Sequence, residues 1–200
     1  MTVTRDLTVK KVLLHLLKDC SSTHTITALA KELGLSRVGV WKILKKLEGG
    51  KYILLKKVGA GRTSTSLIML NWDNTLAEKT LSLYLTEEAL KQRRWQVNFV
   101  DLERVTDFVI LYGSILQSPQ QASDIDLLGI ASKKNLVKIQ NAVDKVQKIQ
   151  SKKIHSINFI KSEFKTELRQ QNKAFIDAIK KGIVLFGQDQ FVKFMRGLEK

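Results

Sequence analysis

The chain has 200 residues, with 34 Lys and Arg against 19 Asp and Glu, and a formal net charge of +15. This length allows one large domain or two small ones, and a hydrophobic fraction of 44% excludes wholesale disorder. No apolar stretch approaches the roughly 18–20 residues of a transmembrane helix. The single Cys20 excludes a disulfide framework and a cysteine zinc site, and three scattered histidines are not expected to replace one. The polar start lacks a secretion signal, so we expect a soluble cytoplasmic protein with no membrane partner.

The charge is divided between two basic blocks and a neutral stretch. Residues 1–73 carry 13 basic and 5 acidic groups, residues 74–106 carry five of each, and residues 107–200 carry 16 and 9. A basic surface attracts polyanions, because neutralising phosphates releases counterions. The division predicts an N-terminal domain at 1–73, a helical connector at 74–106 and a C-terminal domain at 107–200.

The first block predicts three helices followed by a hairpin. Apolar residues at helical spacing run from Val9 to Leu17. Thr25 is placed to cap a short second helix that Gly34 ends, and Ser36 is placed to cap a third. Further signals are the inward positions Val40, Ile43, Leu44 and Leu47, a stop at Gly49 and Gly50, and β-prone segments at 52–57 and 63–70 around a glycine turn.

This order of elements and the segment ALAKELGLSRVGVWKILKKLEGGKYI resemble the winged helix-turn-helix family of DNA-binding domains over about residues 7–72. If the apolar face of the third helix is buried, its other face can enter a major groove. The resemblance implies double-stranded DNA as a partner, with a homodimer as one candidate state. An ordinary solvated lysine face is the alternative interpretation. The predicted DNA contacts are Ser36, Arg37, Val38, Trp41, Lys42, Lys45 and, at the hairpin tip, Arg62.

The neutral stretch is predicted to be helical. It is either a connector or a dimerisation element, and the sequence does not decide between them. A second helix is expected to restart near Thr86-Glu87-Glu88, and Trp72 and Trp95 are expected to pack at a domain junction.

The segment FVILYGSILQSPQQASDIDLLGIA, residues 108–131, carries the chemistry. Its apolar start predicts a strand buried on both faces, and Gly113-Ser114 follows it. Asp124 and Asp126 begin a second strand, and residues two apart on a strand share a face. Carboxylates beside an apolar run are unfavourable unless paired or bound to a cation, and a carboxylate pair suits Mg²⁺. A Gly-Ser turn that leads into a helix offers N–H groups and a hydroxyl to phosphates.

The succession of strand, Gly-Ser, spacer, Asp-x-Asp and strand resembles the nucleotidyltransferase superfamily that includes DNA polymerase beta, and is most similar to its minimal members. The spacer is one residue shorter than in many of them and lacks their arginines and glycine. The resemblance implies that Gly113 and Ser114 bind the phosphates of a nucleoside triphosphate, with ATP as the first expectation. It also implies that Asp124 and Asp126 are the catalytic residues and the Mg²⁺ ligands. The expected fold class is α+β, a winged helix-turn-helix domain followed by a mixed sheet flanked by helices.

In the superfamily a third carboxylate on a later strand joins the metal site. The matching strand is predicted at 154–160, and it has no Asp or Glu. Ser156 and Asn158 alternate onto one face of this strand, and His155 is expected to point away from that face. Glu163 lies three residues beyond the strand. A missing third charge favours one bound cation over two.

Three functions remain open. The first is an enzyme that transfers a nucleoside monophosphate to an unidentified acceptor, for which a partner protein is one candidate. The second is a transcriptional regulator whose non-catalytic transferase domain only senses a nucleotide. The third is a protein that binds or modifies structured RNA. Single-stranded targets are less expected, because the basic faces lack the aromatic clusters that stack single-stranded bases.

Overall fold

The structure, a computed structural model, describes residues 7–19, 23–59 and 65–198. The chain has an α+β fold and divides into two units, of which the first ends at Tyr84 and the second begins at Leu85. The division falls within the stretch that was predicted as a connector. The predicted DNA contact Arg62 lies outside the described residues. Within the described ranges, no helix has the length and apolar character needed to cross a bilayer.

In the described residues, the first unit contains three complete helices, the first part of a fourth, and a small antiparallel sheet with the strand order β1-β3-β2. Its two-residue strand β1 was not predicted, because so short a segment has no periodicity to read. The elements are α1 (Leu7–Lys18), β1 (His24–Thr25), α2 (Ile26–Leu33), α3 (Arg37–Gly49), β2 (Ile53–Val58) and β3 (Thr65–Leu70), followed by α4 (Thr75–Leu90), within which the division between the units falls.

The predicted helix boundaries around α2 and α3 are confirmed. Thr25 Oγ1 accepts the Ala28 N–H at 3.2 Å, and Ser36 Oγ accepts the Gly39 N–H at 3.0 Å. Between the two caps Gly34 ends α2 in the left-handed conformation, at φ 65°. The two short polar caps and one glycine thus set the sharp turn from α2 to α3.

Both faces of the predicted third helix also agree with the structure. Val40, Leu44 and Leu47 are fully buried, Ile43, the fourth predicted inward position, is only half-buried, and the opposite side of α3 is exposed. The stretch after β3 is helical as predicted, but α4 continues without a break through Thr86-Glu87-Glu88. The predicted restart there is wrong, because no glycine or proline interrupts the helix.

The second unit contains a four-stranded mixed sheet with the order β6-β5-β4-β7. Strand β5 is antiparallel to β4 and parallel to β6, and β4 is antiparallel to β7. The elements are α5 (Arg93–Asn98), α6 (Val100–Glu103), β4 (Phe108–Tyr112), β5 (Asp124–Ile130), α7 (Leu136–Gln147), β6 (Lys153–Phe159), α8 (Lys161–Arg169), α9 (Lys173–Lys181), β7 (Ile183–Phe186) and α10 (Gln188–Arg196).

The core of this unit lies around β4 and β5, whose residues are almost all buried as the apolar runs predict. Phe108 packs against Phe164, Phe191 and Phe194. Trp95, which was predicted to lie at a domain junction, stacks on another aromatic ring inside a core cluster of this unit. The packing therefore fixes the path of the two central strands, at whose ends polar residues lie.

Candidate functional site

Strand pairing in the second unit brings the two predicted residues Asp124 and Asp126 together with Tyr112 and His155. Tyr112 pairs with Asp126 across β4 and β5, and Asp126 pairs with His155 across β5 and β6. Asp124 lies two residues before Asp126 and projects from the same face. His155 Nδ1 is 3.6 Å from Asp124 Oδ2 and 3.6 Å from Asp126 Oδ1. One ligand atom from each of these three side chains lies within 4.8 Å of the others, so the group could share a metal ion.

The group of Asp124, Asp126 and His155 is half-buried, and its two carboxylates carry like charges. The side chains of Asp126, Asp124 and His155 are 24%, 30% and 44% exposed. Burial raises the pKa of Asp126 above its ordinary value of 3.8, and the neighbouring Asp124 carboxylate raises it further, whereas His155 acts in the opposite direction. Burial and the Asp126 charge likewise raise the pKa of Tyr112. The site therefore stabilises its negative charge poorly by itself, and a bound cation would relieve the repulsion.

Gly113 connects β4 to this group through a backbone conformation that glycine alone adopts readily, with φ 83° and ψ −164°. A Cβ atom at this position would collide with Asp126 Oδ2. The turn leads into a helix as predicted, but this is a 3₁₀ helix of only three residues, Ser114–Leu116. The Gly-Ser turn is thus packed directly against a candidate metal ligand, but a long helix N-terminus does not contribute to it.

The face of β6 that was expected to complete the site is turned the other way. Ser156 and Asn158 hydrogen-bond to each other at about 3.1–3.2 Å, and Asn158 Oδ1 lies over Gly129 on the opposite side of the sheet. The parallel register of β5 and β6 places His155 beside the aspartates instead. Sequence reasoning missed this because alternation along a strand leaves open which of its two faces meets the neighbouring strand's charges.

Glu163, the remaining sequence candidate for a third carboxylate, has a different role. Its Oε2 accepts the Ile160 N–H at 3.1 Å, at the start of α8. Ile160 follows His155 by five residues, which in an extended strand is a distance of about 16 Å. Glu163 therefore stabilises a helix start beyond the far end of β6, and it does not join the aspartates.

A cavity of about 150 Å³ adjoins the Gly113 turn. Tyr112 and Gly113 line one side, and α9 contributes Asp177 and Lys181, which form an ion pair at 3.3 Å. Pockets that enclose a whole small ligand measure about 300–1,000 Å³. This cavity is smaller than that range, so it could enclose only part of a small ligand.

The predicted DNA-contact residues of the first unit lie along α3. Arg37, Val38, Trp41 and Lys42 are exposed, and an open groove of about 630 Å³ runs between α3, the start of α2 and β3. Lys45 has local partners, because its Nζ lies 4.7 Å from the Trp41 ring centroid and 2.8 Å from an oxygen of the Glu48 carboxylate. Ser36 is the N-cap of the helix. The groove is lined by Ile26, Thr27, Arg37, Val38, Trp41, Thr65 and Ser66.

No protein family, curated protein or solved structure matches this chain. A functional assignment therefore depends on the chemistry of the side chains that the fold brings together. The group of Asp124, Asp126 and His155 beside the Gly113 turn is the strongest chemical feature of the second unit.

Gly113→Ala should weaken divalent-cation binding at the aspartates, because the added Cβ displaces the Asp126 carboxylate. The unfavourable backbone conformation should also lower stability by about 1–3 kcal/mol. Gly129→Ala is the matched control, since its Cβ meets Asn158 on the other face of the same sheet. Mn²⁺ binding is measured by titration, and the Asp124→Asn/Asp126→Asn variant identifies the part of it that depends on the aspartates. This part should be weaker in Gly113→Ala and unchanged in Gly129→Ala. Equal affinity in both glycine variants would contradict the proposed packing.

Asp126→Asn should stabilise the metal-free protein at neutral pH. The folded-state pKa of Asp126 is raised, so ionising this group disfavours the folded state. This penalty is absent below the unfolded-state pKa, grows as the pH rises through the folded-state pKa, and is complete above it. The variant's higher melting temperature should therefore shrink towards the wild-type value as the solution is acidified through the carboxyl range. An advantage that stays constant at every pH would show that the Asp126 charge is not its cause.

Proposed function

We propose that this protein binds double-stranded DNA through its first unit and transfers a nucleoside monophosphate from a nucleoside triphosphate, ATP by preference, in its second unit. The second unit would then be a minimal nucleotidyltransferase domain of the DNA polymerase beta superfamily, and the first a winged helix-turn-helix domain. The observation that carries the proposal is the convergence of Asp124, Asp126 and His155 at one end of the sheet, beside the Gly113 turn.

The residues present fit a hard divalent cation. Two carboxylates lie on one face of β5, the Asp124 charge disfavours the ionised form of Asp126, and both side chains are partly exposed, which leaves room for water and phosphate oxygens. Bound Mg²⁺ would offset the charge of a triphosphate and hold it against Asp124 and Asp126. Because Gly113 has no Cβ, the backbone can approach the Asp126 carboxylate closely. Ser114 offers a hydroxyl to the phosphates.

His155 supplies the function that the missing third carboxylate has in the superfamily. Histidine is the commonest general base in enzymes, and this ring is exposed enough to meet an acceptor. In the proposed reaction, His155 takes the proton of an acceptor hydroxyl, whose oxygen forms a bond to the α-phosphorus. The bond from that phosphorus to the bridging oxygen breaks, and pyrophosphate leaves.

A second candidate function is nucleotide sensing without transfer, and the identity of residue 155 also favours it. A histidine adds no negative charge, so the site has two carboxylates to neutralise cations instead of three. One bound cation can hold a triphosphate without activating an acceptor. In this case nucleotide binding would alter DNA binding, and the protein would be a regulator.

The first unit has the surface that DNA binding needs. Helix α3 is held by three buried residues on one side, and on the other it presents Arg37 and Lys42 next to the exposed Val38 and Trp41. Basic groups can contact phosphates, and apolar groups can contact thymine methyls in the major groove. Lys45 is expected to contribute less, because Glu48 and the Trp41 ring already hold its ammonium group.

Incubation with α-labelled ATP, CTP, GTP or UTP, Mg²⁺ and a cell extract should transfer label to a protein or an RNA. His155→Gln should lower the rate by about 10²–10⁴-fold with little change in nucleotide affinity, as loss of a general base does. Ser156→Ala, on the opposite face of the same strand, should retain full activity. Asp124→Asn/Asp126→Asn should abolish both transfer and Mg²⁺-dependent nucleotide binding.

The same experiment separates the two functions. Nucleotide binding without transfer, together with a nucleotide-dependent change in DNA affinity, would reject the enzyme and support the sensor. If neither transfer nor Mg²⁺-dependent nucleotide binding occurred, both functions of the second unit would be rejected.

Arg37→Ala and Lys42→Ala should each weaken duplex binding. Each lost phosphate contact should reduce the slope of log affinity against log salt by about 0.9. Lys138→Ala, which removes an exposed charge from α7 in the second unit, is the charge-matched control. Fluorescence anisotropy of labelled duplex DNA at several salt concentrations gives both quantities. If all three variants lowered the slope equally, the effect would come from net charge, and α3 would not be the contact surface.

A further inference from the structure

The first unit contains a second group of metal-ligating side chains, far in sequence from the aspartates. His15 lies on α1, Asp19 follows that helix, His24 lies on β1 and Glu32 lies on α2. One ligand atom from each of the four side chains lies within 4.8 Å of the others. The fold thus gathers two imidazoles and two carboxylates from three elements into one place.

His24 is the residue that points to a ligand. Its side chain is buried, at 7% exposure. Its Nε2 lies 3.1 Å from the Asp19 carbonyl oxygen, and since a carbonyl only accepts, this nitrogen carries the hydrogen. In the neutral ring Nδ1 then has a lone pair, which is buried and has no hydrogen-bond partner among the described residues. A buried acceptor without a donor is unfavourable, and a metal ion would satisfy it.

The hydrogen bond to the Asp19 carbonyl also has the form found around protein metal sites. A metal-bound histidine almost always donates its other ring N–H to a carbonyl or carboxylate, which fixes the tautomer and orients the ring. His24 has this arrangement in the folded chain. Its ring meets the His15 ring edge-on, with the centroids 5.5 Å apart.

Two of the three other ligands already approach each other closely. His15 Nε2 is 2.6 Å from Glu32 Oε2, so α1 and α2 are joined by one strong polar contact. Asp19 is buried beside His24, at 4% exposure. A divalent ion shared by both histidines and both carboxylates would give a site of zero formal charge, which suits a partly buried position.

We propose that His15, Asp19, His24 and Glu32 bind a borderline transition-metal ion, with Zn²⁺ as the expected occupant. Two imidazoles favour zinc over Mg²⁺ or Ca²⁺, which prefer oxygen ligands alone. Zinc bonds of about 2.0–2.1 Å in a tetrahedral site place ligand atoms about 3.3 Å apart. The ligand atoms now lie within 4.8 Å of one another, so the more distant ones would draw together, whereas His15 Nε2 and Glu32 Oε2, at 2.6 Å, would separate slightly. The ion would join α1, β1 and α2, the elements that precede α3.

The test uses the full chain with Asp124→Asn/Asp126→Asn, which removes the group in the second unit. The metal-free protein is titrated with Zn²⁺, and bound zinc is measured by mass spectrometry after gel filtration. One equivalent should bind, and zinc at 100 times its dissociation constant should raise the melting temperature by about 5–10 °C. Co²⁺ in its place should give the visible spectrum of a four-coordinate site.

Ligand variants identify the site. Glu32→Gln and His15→Gln each remove one ligand whose side chain is partly exposed, 39% and 22%, so these variants should still fold. Each should weaken zinc affinity at least roughly tenfold. Glu48→Gln removes a carboxylate on α3 that pairs with Lys45 and should leave zinc binding unchanged. His24→Gln should lose the zinc response, with circular dichroism as the check on its folding.

Two results would overturn the proposal. One is the absence of zinc from the filtered protein together with an unchanged melting temperature. The other is a melting-temperature rise that persists in both Glu32→Gln and His15→Gln, which would place the zinc elsewhere. Because the aspartates of the second unit are already removed, neither result bears on nucleotidyl transfer.

Discussion

The position of β5 between an antiparallel and a parallel neighbour is the constraint on which the candidate site depends. Antiparallel pairing with β4 puts Tyr112 and the Gly113 turn next to Asp126, and parallel pairing with β6 puts His155 on the other side. A shift of one residue in the β5–β6 register would turn His155 to the opposite face of the sheet and bring a different side chain towards the aspartates. The buried residues of β4 and β5 hold this register, so the core determines which side chains can act together.

The site is arranged at some expense to stability. Burial and the neighbouring carboxylate both disfavour the ionised form of Asp126, and the Gly113 backbone has a conformation that other residues avoid. Local strain and like charges of this kind are typical of functional sites, where the relief comes from a ligand. Here the relief can come from a cation, and in part from His155.

In the first unit, too, a few residues determine where the elements lie. Thr25, Gly34 and Ser36 set the boundaries of α2 and the start of α3, and the buried Val40, Leu44 and Leu47 leave the other face of α3 exposed. The same path of the chain carries His24 and Glu32 back to the end of α1. A segment that positions the proposed DNA-contact helix is therefore also the segment that the proposed zinc site would hold in place.

The sequence by itself determined most of the local structure. Helix faces, the caps at Thr25 and Ser36, and the strands at Phe108–Tyr112 and Ile183–Phe186 follow from periodicity and from side chains that bond to nearby backbone. It also determined that Asp124 and Asp126 share a face, because side chains alternate along a strand and residues two apart lie on the same side. The tertiary structure alone decided that His155 joins them and that Glu163 does not, and it alone gathered His15 and His24. These outcomes depend on the register between strands and on contacts between distant segments, which the packing of the whole core sets and no local pattern records.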